Sequence, residues 1–310
     1  MSKRIVITEF MDAPAVEKLR AAFEVDYRPT LVDDPTALAA AVQRAHGWIV
    51  RNRTQVRGAA LEGARELTVV GRLGVGLDNI DVPACESRGV EVIAATGANA
   101  ESVAEYVVTT AMMLLRGAYF STRAVEAGNW PRQMLSQGRE AAGKQLGLVG
   151  FGGIGRLTAR KAAALGMRIA AYDPVVGPGD PVWRESGVER RELDALLAAS
   201  DVVSLHVPLT PQTRGLFDAA RLGRMKREAI LINTARGGII DETALATMLR
   251  DGKLGGAALD VFDQEPLPAQ SPLSGAPRLL LTPHIAGVTL ESNERVSALI
   301  ADRVAAFLSR

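Results

Sequence analysis

Short runs of β-branched and aliphatic residues alternate with helical patterns along most of this chain. The first run is Ile5-Val6-Ile7, helical patterns cover about residues 13–23 and 35–44, and Trp48-Ile49-Val50 follows. Strands that alternate with helices are typical of parallel α/β proteins, because two parallel strands need a crossover connection between them. The pattern therefore predicts an α/β fold built on parallel sheets.

This alternation falls into two series of strands. Residues 67–72 and 90–93 complete the first series, and a long apolar helical pattern follows at residues 99–115. The predicted strands of the second series are residues 146–149, 168–172, 202–206, 229–233, 257–261 and 279–282. Six strands of this kind make up one dinucleotide-binding domain. A last helical pattern covers residues 290–308.

A glycine-rich segment joins the first strand of the second series to the helical pattern after it. The strand leads into Gly150-Phe151-Gly152-Gly153-Ile154-Gly155. Gly150 permits a tight turn, Gly152 lets the backbone approach a pyrophosphate, and Gly155 lets the helix pack closely on the strand. The pyrophosphate then lies on the unpaired N–H groups of the helix N-terminus. A plain glycine turn is the alternative, and the strand–turn–helix context favours dinucleotide binding.

Asp173 ends the second strand of this series, 18 residues after Gly155. A carboxylate at this position accepts hydrogen bonds from the ribose hydroxyls and repels the 2′-phosphate of NADP. Pro174 follows it, where NADP sites often place an arginine nearby. The sequence therefore predicts NAD as the cofactor, and a solvated strand-end carboxylate is the alternative interpretation of Asp173.

The two series predict two Rossmann-like or flavodoxin-like domains. The chain leaves the first domain before the long helix and returns to it at the end. The predicted substrate (catalytic) domain is therefore discontinuous, with residues 1–97 and 287–310. The predicted NAD-binding Rossmann domain, residues 98–286, is inserted into it. In such a protein the substrate is expected to enter the cleft and the domains to close over it.

Three residues of the second series follow strand ends and suit hydride-transfer chemistry. They are Arg236, Glu265 and His284. Oxidation of a secondary alcohol requires a base for the hydroxyl proton and a cation for the substrate carboxylate. A histidine with an adjacent glutamate, together with an arginine, provides these groups. Alternatively, Arg236 closes a turn, Glu265 caps a loop and His284 is a buried core histidine.

The segments around these residues resemble the signatures of the D-isomer-specific 2-hydroxyacid dehydrogenase family. They are residues 233–238, 260–267 and 282–287, in that order along the chain. The resemblance extends over essentially the whole sequence. It implies that Arg236 binds the carboxylate and carbonyl oxygen of the substrate, that Glu265 orients His284, and that His284 is the catalytic acid and base.

The resemblance also assigns residues to the cofactor. It implies that Asp260 contacts the nicotinamide carboxamide. The complete predicted cofactor set is Gly150, Gly152, Gly153, Ile154, Gly155, Asp173, His206, Val207, Thr234, Ala235, Asp260 and Gly287. On this interpretation His206 lies beside the cofactor and is not the base, whereas His46 is structural.

The first series contains the predicted substrate residues. The segment at residues 73–79 resembles the family's carboxylate-binding loop, in which glycines let successive backbone N–H groups point inward. Val75 and Gly76 would supply these N–H groups. Asn99 is expected at the domain hinge, near the substrate.

Several arginines in the first series suggest a second anionic group on the substrate. They are Arg51, Arg53, Arg57 and Arg72. A plain 2-hydroxy acid has one charge, which Arg236 and the loop already meet. Residues 50–56 resemble 3-phosphoglycerate and sulfolactate dehydrogenases, whose substrates carry phosphate or sulfonate at C3. Arg51 is therefore predicted to bind the C3 anion, with Arg53 and Arg72 as candidate helpers, and solvated surface arginines are the alternative.

Charge and cysteine content argue against other classes of protein. The chain has 36 basic and 35 acidic residues, so it has no field that would attract nucleic acid or an anionic membrane. One cysteine and three histidines provide no set of zinc ligands, and no metal is predicted. The apolar run in the first residues is shorter than a signal peptide needs, so none is expected, and no apolar stretch reaches transmembrane length. A cytoplasmic location is expected.

Together these features predict an NAD-dependent oxidoreductase that interconverts a small 2-hydroxy acid and its 2-keto acid, such as 3-phosphoglycerate or 3-sulfolactate. A hydroxypyruvate or glyoxylate reductase is one alternative, and an NAD-sensing binding protein, like the corepressors of this fold, is an alternative of another class. The resemblance implies a homodimer formed through residues 99–115 and the region of Trp130. Glu265 argues against formate as substrate, because formate dehydrogenases of this fold carry glutamine there. The sequence ends without the regulatory domain of many phosphoglycerate dehydrogenases, so serine feedback is not expected.

Overall fold

A computed structural model describes residues 3–310 of the chain. These residues form a mixed α/β structure with two parallel sheets, of five and seven strands, and the predicted fold class is confirmed. The chain divides into two compact units: unit 1 is residues 1–99 and 288–310, and unit 2 is residues 100–287. Met1 and Ser2, which fall in the predicted first domain, lie outside the described residues.

Unit 1 is built around a five-stranded sheet. Its strands are β1 (Arg4–Ile7), β2 (Glu24–Tyr27), β3 (Gly47–Val50), β4 (Val69–Arg72) and β5 (Glu91–Ala94). Its helices are α1 (Ala13–Arg20), α2 (Pro35–Val42), α3 (Gly58–Gly63), α4 (Val82–Ser87) and α13 (Leu290–Leu308). The strand order is β2-β1-β3-β4-β5, which is the flavodoxin-like order. Ligands of such sheets bind at the carboxyl ends of the strands where the order reverses, here between β1 and β3.

Alternate residues of the central strands supply two separate apolar cores. Ile5 and Ile7 of β1 pack with α1 and α13 on one face, whereas Val6 packs with Trp48 and α2 on the other. A β-carbon on Gly71 of β4 would lie 2.8 Å from Ile300, so glycine at this position lets α13 pack directly on the sheet. The close packing brings the first turns of α13 to the carboxyl edge of the sheet.

Unit 2 is built around a seven-stranded sheet. Its strands are β6 (Gln145–Val149), β7 (Arg168–Tyr172), β8 (Glu189–Arg190), β9 (Val202–Leu205), β10 (Ile230–Asn233), β11 (Gly256–Leu259) and β12 (Leu279–Leu281). Its helices are α5 (Ala100–Arg116), α6 (Thr122–Glu126), α7 (Arg132–Leu135), α8 (Gly153–Ala164), α9 (Pro181–Ser186), α10 (Leu193–Ala199), α11 (Ala219–Leu222) and α12 (Glu242–Arg250). The order β12-β11-β10-β9-β6-β7-β8 is doubly wound, and its reversal point lies between β6 and β9.

Two edge strands were absent from the sequence prediction. The second series has a seventh strand, β8, and the first series contains β2, which follows α1. Helix α1 ends at Arg20, earlier than the predicted boundary at residue 23, and this leaves room for β2. Both strands carry charged residues and are only partly buried, so they lack the apolar run that identifies a central strand. None of the described helices has the length and apolar composition needed to cross a membrane.

Candidate active site

The glycine turn lies at the reversal point of the sheet in unit 2, between β6 and α8. Gly150 has φ +103°, and a β-carbon on it would lie 2.7 Å from the backbone C and O atoms of His206. A β-carbon on Gly155 would overlap the carbonyl oxygen of Gly150. Both positions therefore require glycine for the fold itself. By contrast, β-carbons on Gly152 and Gly153 would meet no atom within 4 Å.

This open space at the start of α8 fits the pyrophosphate of a dinucleotide. Gly152 is the N-cap of α8 and provides no side-chain cap, so the first-turn N–H groups of Gly153 and Ile154 are available to an anion. The absence of side chains lets a phosphate approach these groups closely. The residues present therefore match the group that the sequence predicted here.

Asp173 lies against the glycine turn at the end of β7. Its Oδ2 atom accepts a hydrogen bond from the N–H of Phe151 at 2.7 Å, and its Oδ1 atom accepts from Val175 and Val176 at 2.8 and 3.2 Å. A carboxylate has about four lone-pair positions, so these three bonds leave capacity for a ribose hydroxyl. Asp173 thus also fixes the shape of the turn, a role that the sequence did not indicate.

His206 follows β9 on the other side of the reversal point. Its backbone N–H donates to the carbonyl oxygen of Val149 at 2.7 Å. The ring Nε2 atom lies 3.0 Å from the hydroxyl of Ser204. Burial lowers the pKa of His206 to about 4, so the ring is neutral at physiological pH. A neutral imidazole beside the glycine turn fits the predicted position next to the cofactor, and the buried Val207 follows it.

His284 and Glu265 form a hydrogen-bonded pair beyond the ends of β12 and β11. The Nδ1 atom of His284 lies 2.8 Å from the Oε2 atom of Glu265. Because a carboxylate only accepts, Nδ1 carries the proton and Nε2 is left to exchange one. The other oxygen of Glu265 accepts the N–H of Phe262 at 3.1 Å, which fixes the carboxylate. Both side chains remain partly exposed, with 40% and 36% of their surfaces accessible.

The loop that carries His284 is held by the buried carboxylate of Asp260. Oδ1 accepts the N–H of Ile285 and the hydroxyl of Thr282, at 2.8 and 2.6 Å, and Oδ2 accepts the N–H of Ala286 at 2.8 Å. The N–H of His284 donates to the carbonyl oxygen of Asp260. His284 has φ +55°, a left-handed conformation that is uncommon for a residue with a β-carbon. Asp260 therefore stabilises the strained turn that presents the histidine.

Tyr106 of α5 extends this network. Its hydroxyl lies 2.6 Å from the hydroxyl of Thr282, which itself donates to Asp260. Since Thr282 has one proton to donate, Tyr106 must be the donor to Thr282. Burial raises the pKa of Tyr106, and the carboxylate of Asp260 adds to the effect, so the phenol stays protonated.

Arg236 lies in a turn beyond the end of β10. The side-chain amide of Asn233 donates to the carbonyl oxygen of Arg236 and accepts from the N–H of Ala235, at 2.8 and 3.0 Å. A β-carbon on Gly237 would overlap the carbonyl of Phe262, so this turn packs against the segment that leads to Glu265. The Oγ1 atom of Thr234 is buried and has no hydrogen-bond partner in the described part of the chain. Such an atom is costly unless a ligand satisfies it, which fits the predicted contact with the cofactor.

In unit 1, a short loop after β3 is held rigidly at the reversal point of the sheet. Glu9, which follows β1, is buried, and its carboxylate accepts the backbone N–H groups of Arg51, Arg53 and Thr54 at 2.7, 3.1 and 3.1 Å. The amide of Asn79 donates to the carbonyl oxygens of Arg51 and Thr54, at 3.2 and 2.6 Å. The loop is therefore fixed through both its backbone N–H groups and its backbone carbonyl oxygens.

The side chain of Arg51 is also fixed. Its Nη2 atom donates to the Oδ1 atom of Asn293 in α13 at 2.7 Å, and its guanidinium carbon lies 5.8 Å from the ring centre of Phe10. Among residues 3–310, no carboxylate is within ion-pair distance of Arg51. Burial lowers the pKa of Arg51 and the negative charge of Glu9 opposes this shift, but a guanidinium stays charged in either case.

The other arginines of this region have local partners. Arg53 is exposed and forms an ion pair with Asp33, and Arg57 donates to the carbonyl oxygen of Asp78. Arg72 donates to the carbonyl oxygen of Leu73 at 2.9 Å. Of the two predicted helpers, Arg53 is therefore held by a carboxylate at the surface.

The predicted carboxylate-binding loop follows β4. Within the described chain, the N–H groups of Val75 and Gly76 donate to no protein acceptor. The Oδ1 atom of Asn99, next to the boundary at residue 99, is buried and has no hydrogen-bond partner among residues 3–310. Unpaired donors and acceptors of this kind fit the predicted binding of a polar substrate.

Sequence reasoning missed four residues that shape these sites. They are Glu9, Asn79, Tyr106 and Asn293. Glu9 had a usable signal, because a charged residue two positions after a buried strand lies at the edge where α/β sheets bind ligands. Asn293 had none, since it is 242 residues from Arg51 in sequence.

Unit 2 has a doubly wound parallel sheet with the glycine turn at its reversal point. A histidine–glutamate pair lies beyond the ends of neighbouring strands of the same sheet. Together these features define a dinucleotide-dependent oxidoreductase. The family model described as D-isomer specific 2-hydroxyacid dehydrogenase, NAD binding domain, matches residues 108–286. The chain belongs to the D-isomer specific 2-hydroxyacid dehydrogenase family. It is an NAD-dependent enzyme that interconverts a small 2-hydroxy acid and its 2-keto acid.

Curated relatives cover the chain to different extents. It is 54% identical over 301 residues to an (S)-sulfolactate dehydrogenase of Chromohalobacter salexigens, with 97% of this chain and 96% of the relative covered. It is 40% identical over 271 residues to a D-3-phosphoglycerate dehydrogenase of Mycobacterium leprae, with 87% of this chain and 51% of the relative covered. The chain thus spans about half the length of that phosphoglycerate dehydrogenase.

Solved structures share the fold over almost the whole chain. A protein of Thermus thermophilus superposes with a TM-score of 0.88 at 33% identity, covering 99% of this chain and 97% of that one. An NAD-dependent formate dehydrogenase of Staphylococcus aureus in complex with NAD superposes with a TM-score of 0.83 at 28% identity, covering 99% and 95%.

Proposed function

We propose that this enzyme acts on a 2-hydroxy acid that carries a second anion at C3, with 3-sulfolactate as the first candidate and 3-phosphoglycerate as the second. The observation that carries the proposal is Arg51, a rigidly held cation at the reversal point of the sheet in unit 1 that has no carboxylate partner among the described residues. The similarity to an (S)-sulfolactate dehydrogenase along nearly its full length supports the sulfonate.

We further propose that His284, Glu265 and Arg236 carry the chemistry. When bound at the glycine turn before α8, NAD would supply the hydride acceptor for oxidation at C2, and NADH the hydride donor for reduction. The Nε2 atom of His284 takes the hydroxyl proton on oxidation and donates it on reduction. Glu265 holds the opposite ring nitrogen and so fixes the tautomer and the orientation of the ring. The guanidinium of Arg236 pairs with the substrate carboxylate.

The substrate proposal predicts a selective effect of Arg51→Ala. Hydrogen bonds to charged groups contribute about 1.5–3 kcal/mol, so we expect kcat/KM for sulfopyruvate to fall by about 10- to 100-fold. Hydroxypyruvate has a neutral hydroxyl at C3, and its kcat/KM should change by less than about threefold. The measurement is NADH oxidation with sulfopyruvate, phosphohydroxypyruvate, hydroxypyruvate and glyoxylate.

A matched control for this variant is Arg53→Ala. Arg53 is in the same loop and carries the same charge, but it is exposed and paired with Asp33. Its removal should leave the preference among the four keto acids unchanged. Equal losses on sulfopyruvate and hydroxypyruvate in Arg51→Ala would contradict the second-anion proposal, and a wild-type enzyme that prefers glyoxylate would replace it with the reductase alternative.

We also propose that the enzyme is a homodimer. Large apolar side chains are exposed over residues 112–134 of unit 2, and they are Met112, Tyr119, Phe120, Val125, Trp130 and Met134. Apolar residues clustered on a surface indicate a protein interface, and a second copy of the chain would cover them.

The location we propose is the cytoplasm, where an NAD-linked enzyme has its cofactor; subcellular fractionation tests this.

The dimer proposal predicts a change in mass on mutation of its surface. Sedimentation equilibrium should give about twice the chain mass of 32.9 kDa for the wild type. The double variant Trp130→Glu, Met134→Glu should sediment as a monomer, because two buried charges without partners oppose association. Val175→Glu is the control, since Val175 is exposed but lies outside this stretch. A wild type that sediments as a monomer at micromolar concentration refutes the dimer.

A further inference from the structure

We infer that Asn293 is a specificity-determining residue of the C3-anion site, a position that keeps the charge of Arg51 available to the substrate. This inference rests on the proposed substrate class. The starting observation is the hydrogen bond of 2.7 Å from Nη2 of Arg51 to Oδ1 of Asn293. It joins the loop after β3 to the first turns of α13, two elements that are remote in sequence.

The contact orients both side chains. A guanidinium only donates hydrogen bonds, so the amide of Asn293 must present its oxygen to Arg51, and its NH₂ group then points away from the guanidinium. Asn293 is half-buried and its helix is fixed by a capping box between Thr289 and Ser292. The result is a neutral donor placed beside a cation, and both groups are suited to the oxygens of a sulfonate or phosphate.

The backbone around Arg51 leaves the side chain little freedom. Glu9 and Asn79 fix the loop, and Phe10 covers one side of the guanidinium. The tether to Asn293 removes the remaining rotation, so the enzyme rather than the substrate bears the entropic cost of ordering a long side chain. A preorganised cation binds an anion more tightly than a mobile one.

The neutrality of Asn293 matters as much as its oxygen. A carboxylate at this position would accept the same hydrogen bond but would form an ion pair with Arg51, as Asp33 does with Arg53. The negative charge would also repel the C3 anion directly. Asparagine therefore holds the guanidinium in place without neutralising it, whereas aspartate, which has nearly the same shape, would hold it and cancel its charge.

The test compares Asn293→Asp with Asn293→Ala in steady-state NADH oxidation. We expect Asn293→Asp to raise KM for sulfopyruvate and phosphohydroxypyruvate by about 10- to 100-fold, and Asn293→Ala to raise it by about three- to tenfold, because alanine removes the tether but leaves the charge. The KM for hydroxypyruvate and the kcat with it should change less than about twofold in both variants. Asn52→Asp, an exposed change of the same charge in the same loop, should retain the wild-type KM values.

The outcomes separate this inference from the proposed function. If the wild type does not prefer a C3-charged keto acid over hydroxypyruvate, the proposed function fails and the inference fails with it. If the wild type has the preference and Asn293→Asp retains it, only the inference is overturned. Equal losses on charged and neutral substrates, together with a lower melting temperature, would show a purely structural role and would also overturn it.

Discussion

Replacing His284 by alanine is expected to lower kcat by about 10²- to 10⁴-fold, the usual contribution of a general acid or base. The Nε2 atom is the proposed proton donor in reduction of the keto acid, and alanine provides no substitute. The affinity for NADH should change little, because the glycine turn at the start of α8 is at a different strand end from His284. Stopped-flow or steady-state measurement of kcat, with a fluorescence titration of NADH, tests both statements.

His46→Gln is the matched control for this experiment. His46 is at the amino end of β3, where its Nδ1 atom accepts the N–H of Arg4 at 3.1 Å, a bond that glutamine can replace. This variant should keep the wild-type kcat. If His284→Ala retained more than about a tenth of the wild-type kcat, the assignment of His284 as the acid and base would have to be abandoned.

Replacing Gly152 by alanine should weaken NADH binding by about 10- to 100-fold without affecting the folded protein. A β-carbon here meets no protein atom within 4 Å, and the backbone φ of −72° suits any residue. The loss therefore arises only when a pyrophosphate has to approach the backbone, and it corresponds to about 1.4–2.8 kcal/mol of binding free energy. The measurements are NADH titration and thermal unfolding without cofactor.

Gly150→Ala gives the contrasting result. Alanine at φ +103°, 2.7 Å from the backbone of His206, should lower the free energy of unfolding by about 1–3 kcal/mol even without NADH. Gly179→Ala, at an exposed glycine of unit 2 with no nearby atoms, should alter neither quantity. Normal NADH affinity in Gly152→Ala would refute the pyrophosphate position, and a lower melting temperature of that variant would refute the claim that its effect is confined to binding.

The alternation of strands and helices was sufficient to predict the fold class, because a buried parallel strand must be apolar on both faces. Strands such as β3 and β9 are buried along their whole length and stand out in the sequence for that reason. The edge strands β2 and β8 are not recognisable in this way, because charged residues such as Glu24 and Glu189 can point to solvent at an edge. Edge strands are defined by the neighbour that they pair with, which the local sequence does not specify.

The candidate site was likewise predictable only where it depends on local sequence. The glycine turn and the three segments around Arg236, Glu265 and His284 are local patterns, so the sequence indicated them. The hydrogen bonds that hold these segments in place join residues that are distant in sequence. The cofactor contact of Asp260 stays a prediction, and the structure adds that its carboxylate accepts three hydrogen bonds from the loop of His284, which the local sequence does not indicate.

By itself, the sequence determined the residue types that nucleotide binding and hydride transfer require, and the strand ends at which they stand, because both follow from local pattern. Only the tertiary structure decided which distant side chains meet there. The hydrogen bond between Glu265 and His284, the tether of Asn293 to Arg51 and the clamp of Glu9 on its loop depend on how sheets and helices pack. Packing brings together residues that are far apart in the chain, and a local pattern of amino acids does not specify such contacts.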